Sequence, residues 1–377
     1  MPIRINSHMH ILWLSWRDIK NPESGGAEKV AIEVASRFVR DGTNVTIFTS
    51  SFKDAKSHEI LRKVKIIRQG NHLTCRLFAF FYYLKNQKHI DLVIDEINTI
   101  PFLTPFYARK KSVVLIHQLA KEYWWAETFF PLNLIGYLAE PIYLRFYQDL
   151  PTITISNSTK KDLDKLRFRN IQIVRKGLDF KPQLTEKKAN VIIFIGRLTR
   201  AKRPQDAILA FKEINNLMPD TKLIIVGKGK RKFVNSLKKL IATLNLDSCV
   251  KFAGFVSESV KINLLKRAKI ILIPSIREGW CLAATEANAL GCVPVAYNVP
   301  GLKDSIKNGI NGVLVKSKPQ NLAQAAVKLL TNEIIRAKFA ENGYNWSRQF
   351  SWKKCYLDSK HYIYKVYAQK TLQVTRK

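Results

Sequence analysis

The run Ile270-Ile-Leu-Ile-Pro274-Ser275, the segment Glu278-Gly-Trp-Cys-Leu-Ala-Ala-Thr-Glu286-Ala-Asn-Ala-Leu-Gly291-Cys292 and the run Val293-Pro-Val-Ala296 together make one strand–helix–strand unit. Ile270–Ile273 is a short apolar run stopped by a proline, which reads as a buried strand. The segment that follows has no breaker between Gly279 and Gly291, so a helix is expected to open at Gly279 and close at Gly291. On that reading Glu278 stands just ahead of the helix and Glu286 two turns inside it. A helix N-terminus offers unpaired backbone N–H groups and a positive dipole end, which suit a phosphate. Two carboxylates beside it can accept hydroxyl protons, as from a sugar and a ribose. The combination points to a nucleotide-sugar pocket.

The same alternation runs outward in both directions. His10–Ser15, Asn44–Thr49, Val64–Ile67, Asp91–Ile94, Ser112–Ile116 and Thr152–Ile155 are strand-like, and Ala27–Arg40 has the periodicity of an amphipathic helix. The pattern restarts with Asn190–Ile195, a helix over Arg203–Leu217, then Lys222–Val226, Lys251–Gly254 and the unit quoted above. Strands alternating with helices imply parallel sheets covered on both faces. Gly177 and Pro182 interrupt the pattern, so residues 1–178 and 179–350 are expected to form two domains. The fold expected is α/β: two Rossmann-like, doubly wound parallel-sheet domains facing across a cleft, with ligands at the carboxyl ends of the strands.

Composition narrows the class. The 377 residues carry 63 Lys and Arg against 29 Asp and Glu, a formal charge of +34 that attracts polyanions, diphosphate-linked substrates or anionic lipid. No RNP motif, finger or helix-turn-helix spacing accompanies the charge, so nucleic acid is not the expected partner. Five scattered cysteines without a C-x-x-C indicate neither a zinc site nor a disulfide framework, and a reducing cytoplasmic setting is expected. The N-terminus lacks the order of a signal peptide. Phe129–Tyr147 is the most membrane-like stretch, but Pro131, Glu140, Pro141 and Arg145 argue against a span. It reads equally as an interfacial segment or as a buried helical pair.

Further candidates sit where strands end. Gly196-Arg197-Leu-Thr-Arg-Ala-Lys202 follows a strand, and two cations five positions apart can grip a departing diphosphate. Ser24-Gly25-Gly26-Ala27-Glu28 lies between strand and helix, where glycines let backbone amides approach an anion or an acceptor. It is not G-x-G-x-x-G, so a dinucleotide fold is disfavoured. His117 follows Ser112–Ile116 and could bond a sugar hydroxyl; Asp95 and Glu96 follow Asp91–Ile94. Gly227-Lys-Gly229 reads as a tight turn. Asp162-x-Asp164 falls on a helix, where residues two apart do not share a face, so no metal is expected.

With these residues in view, the chain resembles the retaining glycosyltransferases of family 4 (glycosyl transferases group 1), which have the two-domain GT-B fold. Glu278 and Glu286 match the family's Glu-x7-Glu motif, Gly196-Arg197…Lys202 its diphosphate clamp, Gly25-Gly26 its first-domain glycine loop, and His117 its cleft histidine. Pro274-Ser275, Asn298–Gly301 and Ser156–Leu163 also fit. Trp280-Cys281 replaces the commoner Phe-Gly, and Lys176-Gly177 stands where many members have Asn-Gly.

The resemblance implies a metal-independent hexosyl transfer from a nucleotide-diphosphate sugar, the co-substrate, with no cofactor. Arg197 and Lys202 would neutralise the leaving diphosphate. Glu278 and the N–H groups of Gly279, Trp280, Cys281 and Leu282 would hold the donor sugar, Glu286 the ribose, and His117 the sugar near its reacting carbon. The acceptor implied is a glycan or lipid-linked precursor, bound by the first domain. The helix of residues 351–377 would pack back on that domain. Lys53, Lys56, Arg62, Lys63, Lys65 and Arg68, extended by Arg109–Lys111, would attract an anionic membrane surface, with peripheral attachment at the inner face of the cell membrane. The competing readings are another GT-B enzyme, such as a sugar-nucleotide epimerase or a phosphorylase, and a basic nucleic-acid-binding protein.

Overall fold

The computed structural model describes residues 9–185 and 187–375. Eight strands form the first sheet: β1 (His10–Leu14), β2 (Asn44–Thr49), β3 (His58–Leu61), β4 (Val64–Arg68), β5 (Leu92–Ile97), β6 (Ser112–Ile116), β7 (Thr152–Thr154) and β8 (Ile171–Ile173). Their order is β3-β4-β2-β1-β5-β6-β7-β8, all parallel except the antiparallel edge pair β3–β4. Six strands form the second: β9 (Val191–Ile195), β10 (Lys222–Val226), β11 (Val250–Gly254), β12 (Ile270–Ile273), β13 (Val293–Tyr297) and β14 (Val313–Val315). Their order is β11-β10-β9-β12-β13-β14, parallel throughout. These are two doubly wound sheets, the GT-B class of α/β fold.

Each sheet winds outward from its first strand, then returns to that strand's other side, so the order reverses at β1/β5 and at β9/β12. Loops diverge at such switch points and leave space for a ligand at the strands' carboxyl ends. The sequence explains the central position of β9. Its run Val-Ile-Ile-Phe-Ile has no polar residue, because both faces are covered. Ile192 and Phe194 pack with Ile208 and Phe211 of the helix Pro204–Leu217. Ile193 turns to the other face, against Ala284 and Ala287 of the helix Leu282–Ala289.

The chain divides into two units. The first comprises Met1–Ala120, Tyr137–Gly177 and Ser351–Lys377; the second comprises Lys121–Gly136 and Leu178–Phe350. The segment Lys121–Gly136, which chain order assigns to the first domain, thus groups with the second unit. The reason is polar: Arg277 forms an ion pair with Glu122, the Ala201 N–H donates to Glu127 at 2.8 Å, and Tyr123 donates to the Arg277 carbonyl at 3.1 Å. In the first unit, the final helix Trp352–Thr375 sets Trp352, Cys355 and Tyr364 in one core with Val34 and Phe38 of the helix Gly26–Arg40. Its Tyr356 hydroxyl donates to Asp41 at 2.5 Å. Gly177 is required there, since a Cβ would lie 2.2 Å from the Trp352 nitrogen.

Three expectations change. β5 continues to Ile97, so Asp95 and Glu96 are interior strand residues and fully buried, not loop residues. The basic cluster is smaller than its sequence suggests. Arg68 is buried between Asp18 (2.6 Å) and Glu59 (2.9 Å), and Arg62 pairs with Glu33. Phe129–Tyr147 is no buried helical pair: Phe129 and Phe130 stand exposed ahead of a helix, Leu132–Leu144, whose large aliphatic side chains mostly point outward. Among the described residues, no helix is long and apolar enough to cross a membrane.

Candidate functional site

In the second unit the chemistry gathers where β9 and β12 end. The loop after β9 carries Gly196 and Arg197 before a short turn over Arg200–Lys202. Backbone contacts hold this loop: the Leu198 N–H donates to the Lys228 carbonyl at 2.8 Å, and Leu198 bridges Gly229. Gly227 and Gly229 permit the approach, because a Cβ on Gly227 would meet the Gly196 oxygen at 1.8 Å, and one on Gly229 the Leu198 oxygen at 2.2 Å. Gly227-Lys-Gly229 is therefore the floor on which the basic loop rests, a function its spacing did not reveal. The Arg197 side chain is exposed and makes no hydrogen bond or ion pair among the described residues. Lys202 instead pairs with Glu278. Burial alone would lower the Lys202 pKa, but the adjacent Glu278 carboxylate outweighs it and holds the ammonium charged well above its usual range.

Glu278 is fixed from three sides. Its Oε1 accepts from Lys202 and, at 2.8 Å, from Ser275 Oγ, and its N–H donates to the Pro300 carbonyl at 3.0 Å. Gly301 lies so near that a Cβ would sit 1.9 Å from the Glu278 oxygen, which explains a glycine (φ +78°) at the end of Asn298–Gly301. The helix starts at Leu282, later than its expected opening at Gly279, because Cys281 takes a left-handed backbone (φ 66°) and serves as its N-cap. Glu286 accordingly lies little more than one turn inside. No side chain caps the first turn and it holds no acidic residue, while Cys281, Leu282 and Ala283 are only half-buried. That open end can take an anion. The far end closes with the Gly291 N–H on Asn288 (3.2 Å) and the Cys292 N–H on Ala287 (2.9 Å), a Schellman arrangement.

Trp280 does not turn its ring toward this helix end. The indole is buried, donates to Thr285 Oγ1 at 3.0 Å and packs edge-on against Phe350. The indole is thus not available to a ligand at this helix end. Cys281 has its thiol pushed up to about 12 by burial and then by the Glu278 charge, so it remains a protonated, unreactive side chain. Glu286 is nearly buried, and its Oε1 accepts from Lys261 at 2.8 Å. Burial raises the Glu286 pKa, with Lys261 offsetting part of the rise. Lys261, which also pairs with Glu258 at 2.9 Å, lies in the helix Glu258–Arg267 and belongs to no motif. Arg277, buried and paired with Glu122, was likewise invisible to the motif reading.

In the first unit, His117 immediately follows β6 and is 4% exposed. Its Nε2 lies 2.8 Å from Glu96 Oε1, and Glu96 also accepts from the Trp13 indole at 2.7 Å. Burial lowers the His117 pKa despite Glu96, so the ring is neutral with Nε2–H donating to the carboxylate. Its Nδ1 is then an acceptor, buried and without a hydrogen-bond partner among the described residues. The glycine loop is arranged differently from expectation. The Gly25 N–H already donates to Glu28 at 2.7 Å, and Glu28 is held by Arg17 at 2.9 Å. A carboxylate of the helix's own first turn thus occupies one of the amides a phosphate would use, that of Gly25. Lys176, buried, donates to the Gly26 carbonyl at 3.2 Å. Asp162 is buried while Asp164 is exposed and pairs with Lys160 at 2.9 Å, the separation of faces expected of a helix. Among the described residues no three His, Cys, Asp or Glu side chains converge as a metal site would require.

Residues 24–181 match the family described as Glycosyltransferase Family 4, and residues 176–346 match Glycosyl transferases group 1. Together the two matches cover most of the chain, which belongs to this family of GT-B proteins. An uncharacterized glycosyltransferase of Methanocaldococcus jannaschii is 27% identical over 54% of this chain and 56% of that protein. A D-inositol 3-phosphate glycosyltransferase of Corynebacterium jeikeium is 30% identical over 44% of this chain and 41% of that protein. The chain thus spans about half the length, or less, of the curated relatives it matches. Among solved structures, sucrose-phosphate synthase from Thermosynechococcus elongatus superimposes with a TM-score of 0.81 at 17% identity, covering 96% of this chain and 100% of that one. HepE of Anabaena, solved with UDP and glucose, gives 0.76 at 21%, covering 95% and 100%.

Proposed function

We propose that the protein is a retaining glycosyltransferase that moves a hexose-type sugar from a nucleoside-diphosphate donor to a glycan or lipid-linked acceptor at the inner face of the cell membrane. The observation that carries the reading is the asymmetry of the two clamp cations. Lys202 is held charged against Glu278, while Arg197 stands exposed on the same loop without a partner among the described residues. A diphosphate brings the charge that would engage both. The open first turn of Leu282–Ala289 adds backbone N–H groups to the same end of the sheet.

In this reading Arg197, Lys202 and the N–H groups after Glu278 stabilise the charge that develops on the departing diphosphate, the part a metal ion plays elsewhere. Glu278 accepts from the donor sugar's hydroxyls and Glu286 from the ribose, each already oriented by a lysine. The bond from the anomeric carbon to the diphosphate oxygen breaks as the acceptor oxygen bonds to that carbon from the same face. The acceptor's proton passes to the leaving diphosphate, and configuration is retained. His117, neutral and fixed by Glu96, offers Nδ1 to a sugar hydroxyl.

HepE, whose structures contain UDP, glucose or UDP-glucose, supports the choice of donor class. The test is a panel of UDP-, GDP- and ADP-sugars scored by thermal stabilisation, then NMR of the product's anomeric proton with the best donor. A ligand at 100 times its Kd adds about 2.7 kcal/mol of stability, which a melting curve resolves readily. No stabilisation by any donor, or an inverted product, refutes the assignment.

A further inference from the structure

The helix Leu132–Leu144 is built inside out. Asn133 and Glu140 lie on its buried side with Gly136, and Glu140 accepts the Ala120 N–H at 2.6 Å. Ile135, Leu138 and Ile142 stand 56%, 55% and 58% exposed. A helix folded for water alone turns its apolar stripe inward and its charges out. Here aliphatic side chains three and four positions apart share the outer face, and the carboxylate is inside. Phe146, just beyond the helix, extends that face by packing its ring 4.9 Å from that of Phe106; both are exposed. A continuous apolar surface of this kind marks a contact with something other than water.

We propose that this face docks the protein on an anionic lipid bilayer, with the helix lying in the plane of the headgroup–acyl boundary. The inference deepens the membrane location proposed above, and it is independent of the chemistry of sugar transfer. Three observations select lipid. First, exposed cations border the apolar face: Arg145 follows the helix, and Lys110 stands beside Arg109, whose guanidinium donates to the Phe146 carbonyl and pairs with the exposed Asp149, each at 3.4 Å. Anionic headgroups complement those cations. Second, a second copy of the chain would bring the same cations, on a molecule of formal charge +34, into opposition. Third, Phe129 and Phe130, 72% and 73% exposed just ahead of the helix, and the exposed Tyr137 within it supply rings of the kind that settle at headgroup depth.

The experiment is flotation of the full chain with vesicles of phosphatidylcholine alone or mixed with phosphatidylglycerol, at low salt. The wild type is expected to float with the mixed vesicles. Leu138→Glu with Ile142→Glu should lower the apparent affinity about tenfold or more, and Arg109→Glu with Arg145→Glu several-fold. All four side chains are exposed, so the melting temperature and any shift given by a nucleotide sugar should match the wild type. Those two readouts separate failure of this docking surface from failure of the transferase reading. Absence of flotation overturns the proposal, as does undiminished flotation of the Leu138→Glu/Ile142→Glu variant. A wild-type dimer in sedimentation velocity that the same variant converts to monomer would assign the face to a second copy instead.

Discussion

The two units carry their polar side chains to the ends of similar sheets but differ in what stands at the start of the adjoining helix. In the second unit, Lys202–Glu278 and Lys261–Glu286 are cation–carboxylate pairs beside an open helix end, with Arg197 exposed nearby. In the first, Glu28, itself paired with Arg17, takes the Gly25 N–H, and the histidine is a neutral ring bonded to Glu96, which the Trp13 indole also holds. The second unit leaves an uncapped helix end beside an exposed cation; the first places a carboxylate of its own at the start of its helix. The comparison teaches that a strand–glycine–helix junction is an anion site only when its own sequence leaves the amides free.

The sharpest way to break the contrast is to remove the cations one at a time. Arg197→Ala and Lys202→Met should each lower turnover about 100- to 1000-fold. Only Lys202→Met should also destabilise the fold, by about 3 kcal/mol, because it strands the Glu278 carboxylate. Equal stability losses, measured by denaturant titration, would erase the distinction between the exposed and the paired cation. Less severe should be His117→Phe. Losing one hydrogen bond to a sugar hydroxyl is expected to cost kcat/KM about tenfold to a hundredfold, while the thermal shift given by the donor stays put. A lost donor shift would place His117 in ground-state donor binding.

Acid titration sharpens the first-unit half of the comparison. With its folded pKa below 6.5, His117 stays neutral while the unfolded chain takes up a proton, so stability falls as pH drops below about 6.5. The slope contributed is at most about 1.4 kcal/mol per pH unit, and His117→Phe should flatten it; an unchanged slope would show that other groups govern acid unfolding. The smallest effect concerns Cys281. Glycine occupies its left-handed conformation without strain, so Cys281→Gly should be neutral to stabilising by about 0.5–1 kcal/mol. A clear loss would mean that packing of the thiol outweighs the backbone strain.

Much of this was legible before folding because it is local. The apolar runs of β2, β6, β10 and β12 stand at the residues where periodicity put them, since a buried parallel strand must be continuously apolar. The Glu278/Glu286 spacing and the basic loop after β9 were legible for the same reason. The start of the helix after Glu278 was not, because Cys281 turns it late through a φ that no pattern of hydrophobicity reports. Lys261 and Arg277 were missed because each acts through a partner remote in sequence, Glu286 and Glu122.

What the sequence determined alone was the class of fold and the identity of the groups that could meet a phosphate, because periodicity and glycine placement are properties of neighbouring residues. Only the tertiary structure decided which of those groups are available. It tied the Gly25 amide to Glu28, turned the Trp280 indole into the core and left Arg197 exposed. It also turned Ile135, Leu138 and Ile142 outward, although their stretch of chain reads equally well as core. Availability depends on burial and on partners far along the chain, and those are fixed only when the sheets and helices pack.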